Sequence, residues 1–83
     1  MSTSNNTPPI PLSAQVKQAV DNYLKQLDGY DATGLHAMVL AEVEKPLFAA
    51  TLEYSGYNQT KTAQILGISR STLRKKIEQY DLS

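Results

Sequence analysis

The segment Gly34 to Tyr54, GLHAMVLAEVEKPLFAATLEY, constrains this chain more than any other. Leu35, Met38, Val39, Val43, Leu47, Ala50 and Tyr54 recur at helical spacing as one stripe, while Leu40, Phe48 and Leu52 fall on other faces. A helix that is apolar on more than one side is buried on more than one side. A chain of 83 residues has room for one small core, marginal by itself. The segment therefore points to packing against a second copy of the chain. Pro46 falls inside the pattern, where it removes one backbone donor and crowds the preceding turn. Strong helix formers continue on both sides of it, and the expectation is one kinked but continuous helix.

The rest of the chain is also helical in pattern. A first helix is expected to begin near Leu12 or Ser13, with Ser13 as its cap. Val16, Val20, Tyr23, Leu24 and Leu27 follow at helical spacing, and Gly29 stands where a left-handed stop belongs. Tyr30 to Thr33 reads as a short connection, and Thr33 as the cap of a second helix beginning around Gly34. After the break at Ser55-Gly56-Tyr57, Asn58 caps a third helix, Gln59 to Leu66, which Gly67 ends. Ser69 caps a fourth, Arg70 to about Tyr80, with Leu73, Ile77 and Tyr80 facing inward. Met1 to Pro11, polar and proline-rich, reads as a flexible arm. The fold class is all-α with four helices: residues 1–11 an arm, 12–55 dimerisation helices, 56–83 a helix-turn-helix.

Several function classes fall away. With no cysteine there is no disulfide scaffold, thiolate metal site or thiol nucleophile. The one histidine, His36, has no catalytic partners; Asp28 and Asp31 lack metal-ligand spacing, Glu42 and Glu44 point to different sides of a helix, and no Gly-rich phosphate loop exists. No enzyme, catalytic residue, metal or cofactor is expected. Neither a secretory signal nor a run of about 20 apolar residues is present, so the chain is read as cytoplasmic, with no membrane partner. The formal net charge of zero hides an asymmetry: three lysines against six acids up to Gly56, then five basic groups against two acids from Tyr57 onward. A basic end on an acidic body is a candidate polyanion-binding face.

The informative segment is Gln59 to Glu78, QTKTAQILGISRSTLRKKIE. Ala63 is small where two helices cross, and Gly67, four residues on, takes a turn conformation that other residues adopt at a cost. Leu66 and Ile68 bracket the turn, and Leu73 anchors the second helix. These are the requirements of two short helices meeting steeply, with the second pushed outward. That helix then offers Ser69, Arg70, Ser71, Thr72, Arg74, Lys75 and Lys76 at its start and outer face. Arginine suits bidentate contact with guanine, and hydroxyls and ammonium groups suit phosphates. Asn58 and Thr60 open the third helix, whose free N–H groups can hold a phosphate.

In these residues the chain resembles the Fis family, bacterial nucleoid-associated proteins that bind and bend DNA. The likeness is carried by LAEVEKPL at Leu40 to Leu47, by GYNQTKTAQILGISRSTLRKKI at Gly56 to Ile77, by the final QYDLS, and by SAQVKQAVDNYLKQLDG at Ser13 to Gly29. The NQT…A…LGI.R.TLRKK run is shared with the DNA-binding ends of NtrC-type activators, whereas the first helix and LAEVEKPL favour a free-standing Fis. The resemblance implies a homodimer with intertwined first and second helices, its interface including Val16, Val20, Leu24, Leu35, Met38, Val39, Val43 and Leu47. It implies two recognition helices set too close for straight DNA, so that the duplex bends and its deformability is read at uncontacted positions. By position, Arg70 matches an arginine that reads an edge guanine, Ser69 stands in place of a base-edge asparagine, and Arg74 matches an arginine at the flanking DNA. Asn58, Thr60, Thr72, Lys75 and Lys76 match phosphate contacts.

The implied partners are double-stranded DNA, a second copy, and RNA polymerase or other DNA-bound proteins; the implied location is the nucleoid. Three departures stand out. Ser69 shortens the reach beside the guanine. Glu78 and Gln79 replace lysines, which lowers the number of phosphates neutralised. The Pro-rich arm has no counterpart of the family's N-terminal hairpin, so DNA bending carries over and stimulation of recombinases does not. Two rival readings are a dimeric protein-interaction adaptor with a vestigial helix-turn-helix and a local NtrC-like regulator.

Overall fold

The computed structural model describes residues 10–27 and 33–82. Expectations for most of the 1–11 arm, for Asp28, Gly29 and Asp31 and for most of the connection from Tyr30 lie outside the described residues. Four helices follow in order: α1 Leu12–Leu27, α2 Leu35–Tyr54, α3 Gln59–Leu66 and α4 Arg70–Tyr80. No strand is present among the described residues, so the all-α, four-helix reading holds. The chain divides into two compact units, Met1–Leu35 and His36–Ser83.

In the first unit, α1 starts at Leu12, two residues earlier than a Ser13 cap requires. The Ala14 and Gln15 N–H groups donate to the Pro11 carbonyl at 3.0 and 3.2 Å, and the Gln15 side-chain amide donates to the Ile10 carbonyl at 3.1 Å. Pro11 thus occupies the boundary and Ser13 lies inside the first turn. The reason is that a boundary residue needs only its carbonyl, and proline keeps that while losing a donor that would be unpaired anyway. None of the α1 residues is buried. Val16, Val20 and Leu27 are half-buried, and Leu12, Tyr23 and Leu24 are exposed.

Helix α2, which lies in the second unit from His36 onward, begins at Leu35, because Gly34 has a left-handed φ of +70° and stays outside the helix. It then runs unbroken through Pro46 to Tyr54, confirming the continuity expected from the flanking residues. Proline costs the helix the bond that its own N–H would have made to the Glu42 carbonyl. Phe48 and Leu52, one turn apart, are the two buried residues of α2. Phe48, Ala63 and Leu73 form the core, and Leu66, Ile68, Ile77 and Leu82 pack against it. Of the apolar residues assigned to faces outside the main stripe, Phe48 and Leu52 are buried, whereas Leu40 is exposed.

The three helices of this unit end in the same way. After α2, Tyr57 N–H reaches Leu52 O (2.8 Å) and Gly56 N–H reaches Glu53 O (3.1 Å). After α3, Ile68 N–H reaches Ala63 O (3.0 Å) and Gly67 N–H reaches Gln64 O (3.2 Å). After α4, Leu82 N–H reaches Ile77 O (3.0 Å) and Asp81 N–H reaches Glu78 O (3.3 Å). Each pair is the paired closure of a helix end by a left-handed residue, and the apolar residue after it folds back onto the core at Ile68 and Leu82. Gly67, at φ +74°, satisfies this without strain. Tyr57 follows Gly56 into the left-handed region at φ +65°, a conformation that a bulky side chain adopts at a cost of about 1–2 kcal/mol.

Thr62 is fully buried although polar. Its hydroxyl donates to the Asn58 carbonyl at 2.8 Å and lies 2.6 Å from the Ser55 hydroxyl, so it joins the end of α2 to the start of α3. Leu73 has no exposed surface at all. Replacing it by alanine removes the side chain through which α4 enters the core beside Phe48 and Ala63. The expected loss is about 2–5 kcal/mol of stability, measured by urea unfolding followed by far-UV circular dichroism.

Candidate nucleic-acid interface

The turn between α3 and α4 decides what α4 can present. Gly67 reverses the chain, Ile68 returns to the core, and Ser69 caps α4 with its side chain accepting the Thr72 N–H at 3.1 Å. Asn58 caps α3 in the same manner, its Oδ1 accepting the Lys61 N–H at 3.0 Å. Both caps are where the sequence placed them. Ala63 is buried at the crossing, which lets the helices approach closely.

The α4 helix has two faces. Leu73, Lys76, Ile77 and Tyr80 are buried or half-buried, and Arg70, Ser71, Thr72, Arg74, Lys75 and Glu78 are exposed. Arg70 is the first residue of the helix, one turn from Arg74, so the two guanidinium groups share the open face close to the N-terminal end. Lys75 stands beside them. Asn58, Thr60 and Lys61, at the start of α3, are exposed as well. Exposed hydroxyls, guanidinium groups and ammonium groups at two helix starts can donate to phosphates and base edges.

Two of the expected site residues have side chains engaged within the chain. Ser69 is exposed, but its hydroxyl is already engaged: besides accepting from Thr72 N–H it donates to Thr72 Oγ1 at 2.9 Å and lies 3.1 Å from Ser71 Oγ. Its first role is to hold the start of α4. Lys76, grouped with the phosphate contacts, does not reach the open face. Its Nζ donates to Glu44 Oε1 on α2 at 2.9 Å, and the Tyr80 hydroxyl donates to the same oxygen at 2.6 Å. The Tyr80 hydroxyl and the Lys76 ammonium together hold the Glu44 carboxyl below the usual carboxylate range. The same carboxylate raises both Lys76 and Tyr80 above their ordinary values. A signal for this existed in the sequence, since Lys76 is three residues after Leu73 and Glu44 is one turn before Phe48.

Glu44 was absent from the sequence-level site, and so was Lys61, an exposed cation one turn from Asn58. Among the described residues, no group of three or more His, Cys, Asp or Glu side chains could hold a metal, and no helix is long and apolar enough to cross a membrane.

The cap role of Ser69 is directly testable. Ser69→Ala should lower stability in chemical denaturation by about 0.5–2 kcal/mol, whereas Ser69→Asn, an equally good cap, should retain most of it. Equal losses in both variants would separate Ser69 from the start of α4.

Comparison with known proteins agrees with this architecture. Residues 39–80 match the family described as bacterial regulatory protein, Fis family. Residues 1–32 match the DNA-binding protein Fis N-terminal domain, which carries the likeness back to Met1, further than the Leu12 at which the sequence resemblance was read to begin. A DNA-binding protein Fis from Actinobacillus succinogenes is 51% identical over 73 residues, covering 88% of this chain and 74% of the relative. The protein of the same name from Proteus mirabilis is 49% identical over 73 residues, with the same coverage. That from Haemophilus influenzae is 51% identical over 72 residues, covering 87% of this chain and 73% of the relative. With one match spanning α2 to α4, another spanning α1, and relatives about half identical along most of its length, the chain belongs to the Fis family of bacterial regulatory proteins.

Proposed function

We propose that the chain acts as a homodimer that binds duplex DNA through the exposed face of α4, bends it, and regulates transcription as a nucleoid-associated protein of the cytoplasm. Its family is one of DNA-binding regulators, not of enzymes. The observation that carries the reading is the exposed row Arg70, Arg74 and Lys75 on a helix whose opposite face is locked into the core by Leu73. In the proposal Arg70 and Arg74 read base edges. Lys75, Thr72, Asn58 and Thr60 hold phosphates, and Ser69 sets the start of the helix that presents them. Lys61 is an added phosphate contact. Lys76 is not among them, because Glu44 holds it.

Dimerisation is supported by the second face of α2. Met38, Leu40 and Leu47 are 37, 45 and 48% exposed within a single chain, while the Phe48 and Leu52 face is already occupied. Large apolar side chains left to water are costly, and a second copy covers α2 at the expected positions Leu35, Met38, Val39, Val43 and Leu47, with Val16, Val20 and Leu24 of α1. In this division of labour residues 12–55 dimerise and 56–83 bind DNA. Bending, and contact with RNA polymerase or other DNA-bound proteins, rest on the family resemblance.

Fluorescence anisotropy on a duplex with edge guanines and an A·T centre, against one with the guanines changed, tests the DNA reading. Arg70→Ala should cost about 1–3 kcal/mol per edge guanine on the first duplex and flatten the preference between the two. Lys75→Ala should weaken both about equally and reduce the salt slope by about 0.9 per protomer, about 1.8 for the dimer. Binding to neither duplex at low salt would turn the reading toward a protein-interaction adaptor.

The dimer has its own measurement. Sedimentation equilibrium at micromolar concentration should give twice the chain mass of 9.1 kDa, and Leu47→Glu should shift it toward a single chain. A single-chain mass for the unaltered protein would end the dimer proposal.

A further inference from the structure

We propose that Glu44 is a positioning residue of the DNA-binding face, which sets α4 in place and withholds Lys76 from phosphate. The proposal rests on the DNA-binding reading above and concerns a residue of α2, outside the helix-turn-helix.

One carboxylate oxygen, Glu44 Oε1, accepts from Lys76 Nζ at 2.9 Å and from the Tyr80 hydroxyl at 2.6 Å. The donors stand one turn apart on α4, and the Lys76 ammonium also lies 5.8 Å from the centre of the Tyr80 ring. A slide or rotation of α4 along α2 would break at least one of the two bonds. Glu44 continues the face of α2 that carries Phe48 and Leu52, so the polar clamp extends the apolar core by one turn. The Glu44 and Lys76 side chains are each only 27% exposed. A half-buried pair is worth more than a fully exposed one, and separating it leaves a carboxylate without its partner.

The consequence for DNA is a matter of counting. The sequence-independent part of binding grows with the number of phosphates that cations neutralise. A lysine that keeps its carboxylate releases no counterion from the duplex. For Lys76 to turn to a phosphate, it would have to abandon Glu44 and leave that negative charge close to a polyanion. Glu44 therefore limits indiscriminate binding while steadying the helix that carries Arg70 and Arg74.

The test uses the full chain, the two duplexes above and a salt series. Glu44→Gln keeps an oxygen for the Tyr80 hydroxyl and removes the charge. It should tighten both duplexes by roughly threefold or more at low salt, steepen the salt slope by about 0.9 per protomer, about 1.8 for the dimer, and narrow the preference for edge guanines. Lys76→Gln should leave the slope unchanged, in contrast to Lys75→Ala, and the double variant Glu44→Gln/Lys76→Gln should return to the unaltered slope. A drop of about 1.8 in the slope for Lys76→Gln alone, about 0.9 per protomer, would place Lys76 on a phosphate and overturn the proposal. So would a Glu44→Gln effect that persists without Lys76, because it would then reflect the general field of the protein. If Glu44→Gln fails to fold by circular dichroism, Lys76→Gln decides the question by itself. Failure of the unaltered chain to bind either duplex would count against the DNA reading itself, and the proposal would fall with it.

Discussion

Leu73 is sealed from solvent by Phe48 of α2 and Ala63 of α3, and the presentation of every outward group on α4 depends on that contact. Two short helices cannot hold an angle between them by hydrogen bonds alone, since each satisfies its own backbone. An α3 of 8 residues and an α4 of 11 are too short to persist in isolation. What fixes them is one large side chain at the crossing, a small one opposite, and a turn that returns Ile68 to the same core. With Leu73 pointing in, the helical period obliges Arg70, Arg74 and Lys75 to point out or to the flank. The exposed arginine row is thus a consequence of the apolar anchor.

The same economy explains α2. In a single chain it offers Phe48 and Leu52 to the helix-turn-helix and leaves Met38, Leu40 and Leu47 uncovered. A helix that serves two cores couples them: displacing one face shifts the other. If the uncovered face is joined to a second copy, the two α4 helices are fixed relative to one another through rigid helices and not through linkers. Spacing along DNA would then be a property of α2, including its passage through Pro46, and DNA that does not match the spacing must deform.

Most of the fold was legible in the sequence because caps and periodicity are local. Asn58, Gly67 and Ser69 act where their side-chain chemistry and backbone freedom predict, and Ala63 and Leu73 are buried as the crossing demands. Departures arose where neighbouring residues compete for a helix end and where a partner lies far along the chain. Ser13 has cap chemistry, yet Pro11 takes the boundary. Tyr57 has no local reason to enter the left-handed region and does so because the closure after α2 continues into the cap of α3. Lys76 looked like one more cation in a basic run. Its partner lies 32 residues away. Only the position of Leu73 places Lys76 on the flank of the buried face.

That last case bears on how charge is counted. By segment, the chain from Tyr57 onward carries a net +3 and the part before it −3. By fold, Glu44 belongs with the basic end and cancels one of its cations. The exposed cations of that end are then Lys61, Arg70, Arg74 and Lys75. Among these, the arginines have fork geometry suited to guanine, and the lysines act as point charges. Pairing a lysine internally therefore raises the weight of the groups that distinguish bases relative to those that do not. For a protein with zero net charge, attraction to DNA has to come from the arrangement of a few groups on one face. A carboxylate that removes one of them trades affinity for discrimination.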